Sequence, residues 1–185
     1  MHQDRGLALD AAGGRVVVVA DTHSRPHPDA GARISALGPR AIVHCGDVGD
    51  LEVLRDLEAI APVFAVRGNI DREAPALPDT LTIDVSDPSG ALARILVLHI
   101  AVYGPLLRAD VAKKARALDV DLVLCGHSHV PFARRDRGLT VFNPGSIGPR
   151  RFGLPIVFGV VDVSRAGISV RHVDCETGEV WLPPR

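Results

Sequence analysis

Short, continuous apolar runs alternate along the chain with segments whose apolar residues recur about every 3.6 positions. Continuous Val/Ile/Leu runs are typical of strands that are covered on both faces of a sheet. Three such runs occupy residues 15–21, 41–47 and 62–69, and helical patterns lie between them. The first seventy residues therefore predict a β-α-β-α-β unit with a parallel sheet and right-handed crossovers.

The rest of the chain predicts further strands and only one more helix. Apolar runs at 80–85, 94–99 and 121–126 predict strands, and the apolar spacing within 108–119 predicts a helix. Beyond them the chain reads as short strands separated by turn residues. Without a repeat or a dividing linker, we expect a single α/β domain over residues 15–185. Residues 1–14 lack the pattern of a secretion signal and are expected to be a flexible leader.

Composition and charge exclude several classes of function. The 185 residues are 46% hydrophobic, and 21 Lys and Arg balance 22 Asp and Glu. This near-neutral balance does not favour nucleic acid or an anionic membrane as the main partner. The apolar runs are shorter than the ~20 residues that a membrane helix needs. Three widely spaced cysteines give no disulfide framework and no CxxC zinc site, so a cytoplasmic location is the simplest expectation.

Polar side chains with metal-binding chemistry follow five of the predicted strands. Because ligands bind at the carboxyl ends of strands in open α/β sheets, we expect these side chains to converge. They are Asp21, His23, Asp47, Asn69, His99, His127 and His129.

This donor set suits two divalent cations. Carboxylate, amide and imidazole groups suit Mn²⁺, Fe, Ni²⁺ or Zn²⁺. Seven donors suffice for two ions about 4 Å apart if one carboxylate bridges them. Four positive charges against two carboxylates leave a net positive site, as a phosphate site requires.

Each motif also has an ordinary structural explanation when it is taken alone. Asp47 could cap the following helix, and a Gly-Asn pair such as that ending at Asn69 is commonly a turn. A histidine that ends a strand, such as His99, is usually a partly buried residue without a ligand. The order of all five motifs, each behind an apolar strand, favours a shared site.

The series D-x-H, GD, GN, H and GHSH resembles the calcineurin-like metallophosphoesterase superfamily, and within it the small single-domain phosphodiesterases of bacteria and archaea. The likeness covers residues 15–175 and includes NPGS at 143–146 and PR at 149–150. It implies a four-layer α-β-β-α sandwich in which two mixed sheets are flanked by helices. It also implies a hydrolase acting on phosphoric ester bonds.

The resemblance further implies a role for each donor. Ligands of one metal would be Asp21, His23 and His129. Ligands of the other would be Asn69, His99 and His127, and Asp47 would bridge the two. A hydroxide bridging the metals would attack a small phosphodiester or nucleotide, and Asn69 would also contact the substrate. Manganese is the expected metal, with nickel, iron and zinc as alternatives.

Three positions depart from the family pattern. Ile70 stands where many relatives have a histidine that protonates the leaving group, which leaves Asp71 as a candidate proton donor. Ser24 and Ile100 replace glycines. We expect Ile100 to narrow the pocket or to turn His99. Arg67 and Arg150 are further candidates for binding the substrate phosphate.

A protein-binding scaffold on the same fold is the main alternative function. A eukaryotic trafficking-coat subunit resembles this branch and has an impaired metal site, whereas all seven positions here keep metal-competent side chains. A protein Ser/Thr phosphatase is disfavoured by the missing histidine and the small size of the chain. A homo-oligomer is also compatible with the sequence.

Overall fold

The computed structural model describes residues 1–104, 106–151 and 153–183. In chain order the elements are β1 (His2–Ala8), β2 (Gly14–Val19), α1 (Ala30–Ala36), β3 (Ala41–His44), α2 (Glu52–Glu58), β4 (Val63–Ala65), β5 (Thr80–Asp87), β6 (Gly90–Leu98), β7 (Val102–Tyr103), β8 (Leu106–Leu107), α3 (Ala109–Ala117), β9 (Leu122–Leu124), β10 (Phe132–Asp136), β11 (Leu139–Asn143), β12 (Val157–Ser164), β13 (Gly167–Asp174) and β14 (Val180–Trp181).

Two six-stranded mixed sheets contain all of these strands except β7 and β8, which form a small hairpin. Sheet I has the order β1-β5-β6-β9-β11-β10, and sheet II has the order β14-β13-β12-β2-β3-β4. In sheet II the predicted β-α-β-α-β unit appears as β2-α1-β3-α2-β4, with its three strands parallel. In sheet I, β6, β9 and β11 run parallel.

The two sheets pack face to face, and helices cover their outer faces. Alternate residues of β2 point to opposite sides: Val16 and Val18 join the core between the sheets, while Val17 packs with α1 and α2. This is why the run of valines is apolar at every position. Helix α3 packs on the outer face of sheet I through residues such as Val111. The predicted four-layer α-β-β-α sandwich is confirmed.

No helix within the described ranges is both long and apolar enough to cross a membrane.

The first residues form a strand, so the expectation of a flexible leader over residues 1–14 is wrong for this segment. Strand β1 pairs parallel with β5, from His2 opposite Thr80 to Ala8 opposite Ser86. Only Leu7 of this strand is buried, at 8% exposure. A strand at a sheet edge with one buried apolar residue carries almost no alternating pattern, and the sequence therefore gives little sign of it.

Shortening Leu7 to alanine tests whether this segment supports the fold. We expect Leu7→Ala to lower the free energy of unfolding by about 2 kcal/mol, because a core leucine leaves a cavity when it is truncated. The melting temperature should fall by roughly 4–8 °C. Arg5→Ala, on an exposed position of the same strand, is the matched control. An unchanged melting temperature for Leu7→Ala would show that β1 is dispensable.

Candidate metal centre

The candidate ligands lie in the loops that follow five strands, three from sheet II and two from sheet I, and Asn69 follows β4 of sheet II. Asp21 and Asp47 follow β2 and β3 of sheet II. His99 follows β6 of sheet I, and His127 and His129 follow β9 of the same sheet. Strands β3, β4 and β9 end before the apolar runs do, so the last residues of those runs become loop rather than strand. These loops place the polar side chains on one rim of the sandwich.

A first group of donors consists of Asp21, His23 and His129. Each places one ligand atom within 4.8 Å of the others. The two imidazole Nε2 atoms are 3.4 Å apart, and Nε2 of His129 lies 3.6 Å from Oδ1 of Asp21. The two rings stack with their centres 5.3 Å apart. Two ring nitrogens and a carboxylate oxygen therefore face the same small volume.

A second group consists of Asp21, Asp47 and His99, all of them buried, with the same limit of 4.8 Å between ligand atoms. The carboxylate of Asp47 faces both groups. Its Oδ1 lies 3.3 Å from Nε2 of His99, and its Oδ2 lies 3.7 Å from Nε2 of His23. A carboxylate with one oxygen toward each group is placed as a bridging ligand would be.

The surroundings of His99 fit a bound cation. Its Nδ1 contacts the carbonyl oxygen of Cys45 at 2.8 Å, a geometry in which the ring donates Nδ1–H to that oxygen. In the neutral ring Nε2 is then left as an acceptor, and it is buried without a hydrogen-bond partner among the described residues. An unpaired acceptor buried beside a carboxylate is costly unless a cation stands between them. The donors present therefore match a divalent metal.

The two buried carboxylates respond differently to their surroundings. Burial raises the pKa of Asp21 to about 7, and the negative charge of Asp47 acts in the same direction. Burial also raises the pKa of Asp47, but the neighbouring His99 and the N–H of Ile70 outweigh it and hold the pKa well below its usual value. Burial thus disfavours the charged form of Asp21, and a cation bound beside it would offset that cost.

Asn69 and His127 lie at the exposed rim of the same site. Both residues are exposed, unlike the buried Asp21, Asp47 and His129. The ring of His127 meets that of His99 edge-on, with centres 5.2 Å apart. Six of the seven predicted donors thus either lie within ligand-atom distance of another donor or contact the ring of one. It places Asn69 beside His99 on the wall of a shared cleft.

The loops that carry the ligands have an unusual backbone. Six of the eight described non-glycine residues with positive φ belong to this site; they are Asp21, His23, Ser24, Asp47, His127 and His129. Side chains rarely adopt this left-handed region, and such strain clusters at functional sites. Ser24, which replaces a glycine of the family pattern, has a φ of 64°, a value that glycine tolerates at no cost. Its hydroxyl accepts the N–H of Asp50 at 2.9 Å.

Gly68 is required because Asp47 packs closely against its Cα, and not because of its φ angle. A Cβ at this position would lie 2.1 Å from the backbone nitrogen of Asp47 and 2.2 Å from its Oδ1. Any side chain would therefore push the shared carboxylate out of place. The glycine of the GN motif therefore allows the loop after β4 to pack directly against the loop that contains Asp47.

Asp71 braces the ligand loops and does not fit the predicted role of proton donor. Its side chain is buried, and Oδ2 accepts the N–H groups of Gly68 at 2.7 Å and Val48 at 3.1 Å. Oδ1 accepts the N–H of Gly49 at 2.9 Å. Both oxygens are turned into the protein, where they tie the loop of Asp47 to the loop of Asn69. The candidate acid is therefore corrected to a structural carboxylate.

Three further side chains make hydrogen bonds that hold these loops. His44 is buried, and it accepts the N–H of Gly46 through Nδ1 at 3.1 Å, so its Nε2–H can donate to the Thr22 hydroxyl at 3.0 Å. Asn143 of the NPGS motif donates to the carbonyl oxygen of Gly126 at 2.7 Å. Ser146 of the same motif donates to the carbonyl oxygen of Asp21 at 2.9 Å. Each contact fixes a loop that carries ligands.

The candidate arginines occupy different places. Arg67 lines the cleft beside Asn69, but its Nε is paired with Asp79 at 2.6 Å. Arg150 is paired with Glu176 at 2.5 Å on the surface. Arg151, which the sequence did not single out, is the arginine whose charge lowers the pKa of both His23 and His129, after burial. The feature of the sequence that could have pointed to Arg151 is the pair of adjacent arginines at 150–151.

Ile100 does not distort its neighbour. The residue is absent from the described positions with positive φ, and His99 keeps its contacts with Cys45 and Asp47. Of the two effects expected of Ile100, a narrower pocket or a turned His99, the structure agrees with the first. The side chain is partly exposed and forms part of the pocket wall.

Comparison with known proteins agrees with this architecture. A model of the calcineurin-like phosphoesterase superfamily domain matches residues 15–166. A probable metallophosphoesterase of Methanocaldococcus jannaschii is 37% identical over 108 residues, which are 57% of this chain and 52% of that protein. The chain thus spans about half the length of this relative. Phosphodiesterase YfcE of Escherichia coli is 29% identical over 110 residues, 57% of this chain and 55% of the relative.

Solved structures share the fold. The YfcE phosphoesterase of E. coli superposes with a TM-score of 0.62 at 21% identity, covering 91% of this chain and 97% of that one. Vps29 of Entamoeba histolytica, solved in complex with Zn²⁺, superposes with a TM-score of 0.71 at 22% identity, covering 90% and 96%. Proteins of this family use divalent metals, in agreement with the donor groups described above. The family match over most of the chain shows that this protein belongs to the calcineurin-like phosphoesterase superfamily.

Proposed function

We propose that this protein is a phosphodiesterase that hydrolyses a small phosphodiester or nucleotide with the help of two divalent cations. The observation that carries the proposal is the Asp47 carboxylate, which presents one oxygen to His99 and the other to His23. The two groups of donors share Asp21, and a second carboxylate that turns its two oxygens toward different histidines is more than a single tetrahedral ion needs. The family match supports the same class of reaction.

In this proposal Asp47 would be shared between the cations. Asp21, His23 and His129 would hold one cation, and Asn69, His99 and His127 would hold the other. Oxygen and imidazole ligands without thiolate suit Mn²⁺ first, with Ni²⁺, Fe and Zn²⁺ as alternatives. When bound, the cations would supply Lewis acidity toward the phosphoryl oxygens and lower the pKa of coordinated water toward ~7.

The residues of the chain contribute position and charge. The buried carboxylates of Asp21 and Asp47 fix the place of positive charge, and the exposed amide of Asn69 can donate to a phosphoryl oxygen at the rim. Asp71 keeps the loops of Asp47 and Asn69 together through three backbone N–H groups. A preformed site of this kind needs little rearrangement when the substrate binds.

Metal analysis joined to a hydrolysis assay tests the proposal. We expect the purified protein, after dialysis against Mn²⁺, to hold two ions per chain by elemental analysis. It should then release p-nitrophenolate from bis(p-nitrophenyl) phosphate, and removal of the ions with a chelator should stop the release. Parallel loading with Ni²⁺, Zn²⁺ and Mg²⁺ ranks the metals.

A scaffold is the second candidate, because Vps29 structures share the fold. At a sequence identity of about 20%, this likeness shows a shared fold and nothing more. A protein that holds two stoichiometric ions but cleaves no diester with any of the four metals would favour the scaffold over the hydrolase.

Ile70 gives a direct test of the missing proton donor. The side chain is 48% exposed, and only its backbone N–H contacts Asp47, at 3.2 Å, so a histidine can be accommodated there. We expect Ile70→His to raise kcat/KM for alkyl esters, which are poor leaving groups, by about tenfold or more, because a positioned acid typically contributes ~10²–10⁴. Esters of p-nitrophenol, which leave without protonation, should change little.

The matched control for this substitution is Ile70→Gln, which is polar and of similar reach but cannot transfer a proton. The wild-type protein should cleave activated diesters better than simple alkyl monoesters. Equal turnover of both classes by the wild type, or no gain in Ile70→His, would contradict the inference that the site lacks a proton donor at position 70.

A further inference from the structure

Two spaces of different chemical character adjoin the candidate metal centre. One is a cavity of about 530 Å³ that includes His127, and the other is a cleft of about 620 Å³ that includes Asn69 and His99. Ile100 borders both of them. Any ester bound at the centre therefore has two distinct directions in which its organic groups can extend.

The cavity beside His127 is largely apolar. Its walls include Val102, Tyr103, Val130 and Phe132, and Arg134 is the one charged side chain among its described lining residues. Tyr103 is 72% exposed, so most of its ring faces open space. The guanidinium of Arg108 lies 5.3 Å from the centre of this ring, a cation–π contact that fixes the ring in place.

The cleft beside Asn69 is basic. Its lining includes the guanidinium groups of Arg67, Arg72 and Arg108 against one carboxylate, that of Asp79. Arg67 is paired with Asp79, and Arg108 is paired with Asp110 at 2.7 Å. Arg72 is exposed, and no ion pair is formed by it within the described residues. This cleft suits a polar or anionic group and disfavours an apolar one.

Ile100 keeps the two environments apart. A glycine at this position, as the family pattern has it, would leave no side chain between cavity and cleft. The isoleucine is partly exposed, and it lies directly after the ligand His99. The substitution thus creates a wall where the two spaces meet, next to the place where phosphorus would bind.

We propose that the substrate carries an aromatic ester group, which binds in the cavity between Tyr103 and His127, while the more polar remainder lies in the basic cleft at Asn69. This proposal rests on the proposed function, because it takes the metal centre as the place of the phosphate. It adds the class of substrate and the direction in which the substrate lies. Tyr103 and Phe132 supply the aromatic contact, and Ile100 separates the two halves of the substrate.

Binding of simple phosphonates tests the proposal without relying on turnover. The probes are methylphosphonate, phenylphosphonate and 2-naphthylphosphonate, titrated by calorimetry into the Mn²⁺-loaded protein. Each has a single organic group, so no leaving group competes for the cavity. We expect phenylphosphonate to bind about tenfold more tightly than methylphosphonate, and the naphthyl compound at least as tightly as the phenyl one.

Variants assign this preference to the cavity. Tyr103→Ala and Phe132→Ala should each reduce the phenyl-to-methyl ratio to about twofold, because the aromatic contact is lost. Leu106→Ala is the matched control: it truncates an exposed apolar residue opposite Tyr103 in the same hairpin, outside the cavity lining. Arg72→Ala, in the cleft, should leave the ratio unchanged.

The outcomes are distinguishable. Equal binding of the three phosphonates by the wild type would overturn the proposal even if bis(p-nitrophenyl) phosphate is hydrolysed. A ratio that Arg72→Ala abolishes and Tyr103→Ala preserves would overturn the assigned direction. Conversely, a phenyl preference that depends on Tyr103 in a protein that cleaves no diester would support the binding mode and refute the hydrolase.

Discussion

Asp47→Asn is expected to abolish the stabilisation that divalent cations give this protein and to lower phosphodiester hydrolysis by at least about 100-fold. Loss of residues that merely support a metal ligand already costs ~10–100-fold, and this carboxylate faces both groups of donors. In the wild type, Mn²⁺ at 100 times its dissociation constant should stabilise the fold by about 2.7 kcal/mol. The melting temperature should then rise by roughly 5–10 °C, as measured by thermal denaturation with and without the ion.

The variant should remain folded in the absence of metal. Asparagine keeps a side-chain oxygen for the N–H of Ile70, which Asp47 accepts at 3.2 Å, and it removes a negative charge near the buried Asp21. Asp56→Asn on α2 is the control, since that residue is exposed and lies outside the donor groups. If Asp47→Asn kept the full response to Mn²⁺ together with normal activity, the assignment of the metal centre would be wrong.

Asp71→Ala is expected to destabilise the protein by about 3 kcal/mol or more. The substitution leaves the N–H groups of Val48, Gly49 and Gly68 without their acceptor, and each unpaired buried donor costs ~1–3 kcal/mol. The melting temperature should fall by roughly 6–12 °C. The affinity for Mn²⁺, measured on the folded protein at low temperature, should fall as well, because the loop of Asp47 loses its brace.

Asp71→Asn separates the bracing role from that of a proton donor. The amide keeps one acceptor oxygen, so an intermediate loss of stability is expected, with hydrolysis of activated and unactivated esters reduced in the same proportion. Glu73→Ala, an exposed acidic neighbour, is the control. Full stability combined with a loss confined to poor leaving groups would restore Asp71 as the acid.

The order of elements in the first half of the chain could be predicted because its strands are buried on both faces. Val16 to Val19 are apolar at each position since alternate residues enter different cores, and the sequence records this directly. Strand β1 could not be predicted, because one buried leucine at a sheet edge leaves no pattern. The two-residue strands of the β7–β8 hairpin are likewise too short for a periodic signal.

The donor residues of the site were predictable as a set, but their arrangement was not. Motifs behind apolar strands identify which side chains reach the rim, because the carboxyl ends of strands carry the loops. No sequence pattern indicates that these loops adopt left-handed backbone conformations, or that Asp71 turns into the protein. Both depend on contacts between loops that are far apart along the chain.

By itself the sequence determined the fold class and the β-α-β-α-β unit, and it predicted seven candidate donors, of which the structure brings five into groups with ligand atoms within 4.8 Å, since local apolar patterns and residue types carry that information. Only the tertiary structure decided that Asp47 faces two donor groups. It also decided that the charge of Arg151, rather than that of Arg150, acts on the histidines of the site. Ile100 likewise stands between an apolar and a basic space only because of the fold. The physical reason is that these features depend on side-chain directions set by packing between the two sheets and their loops, and no local pattern specifies them.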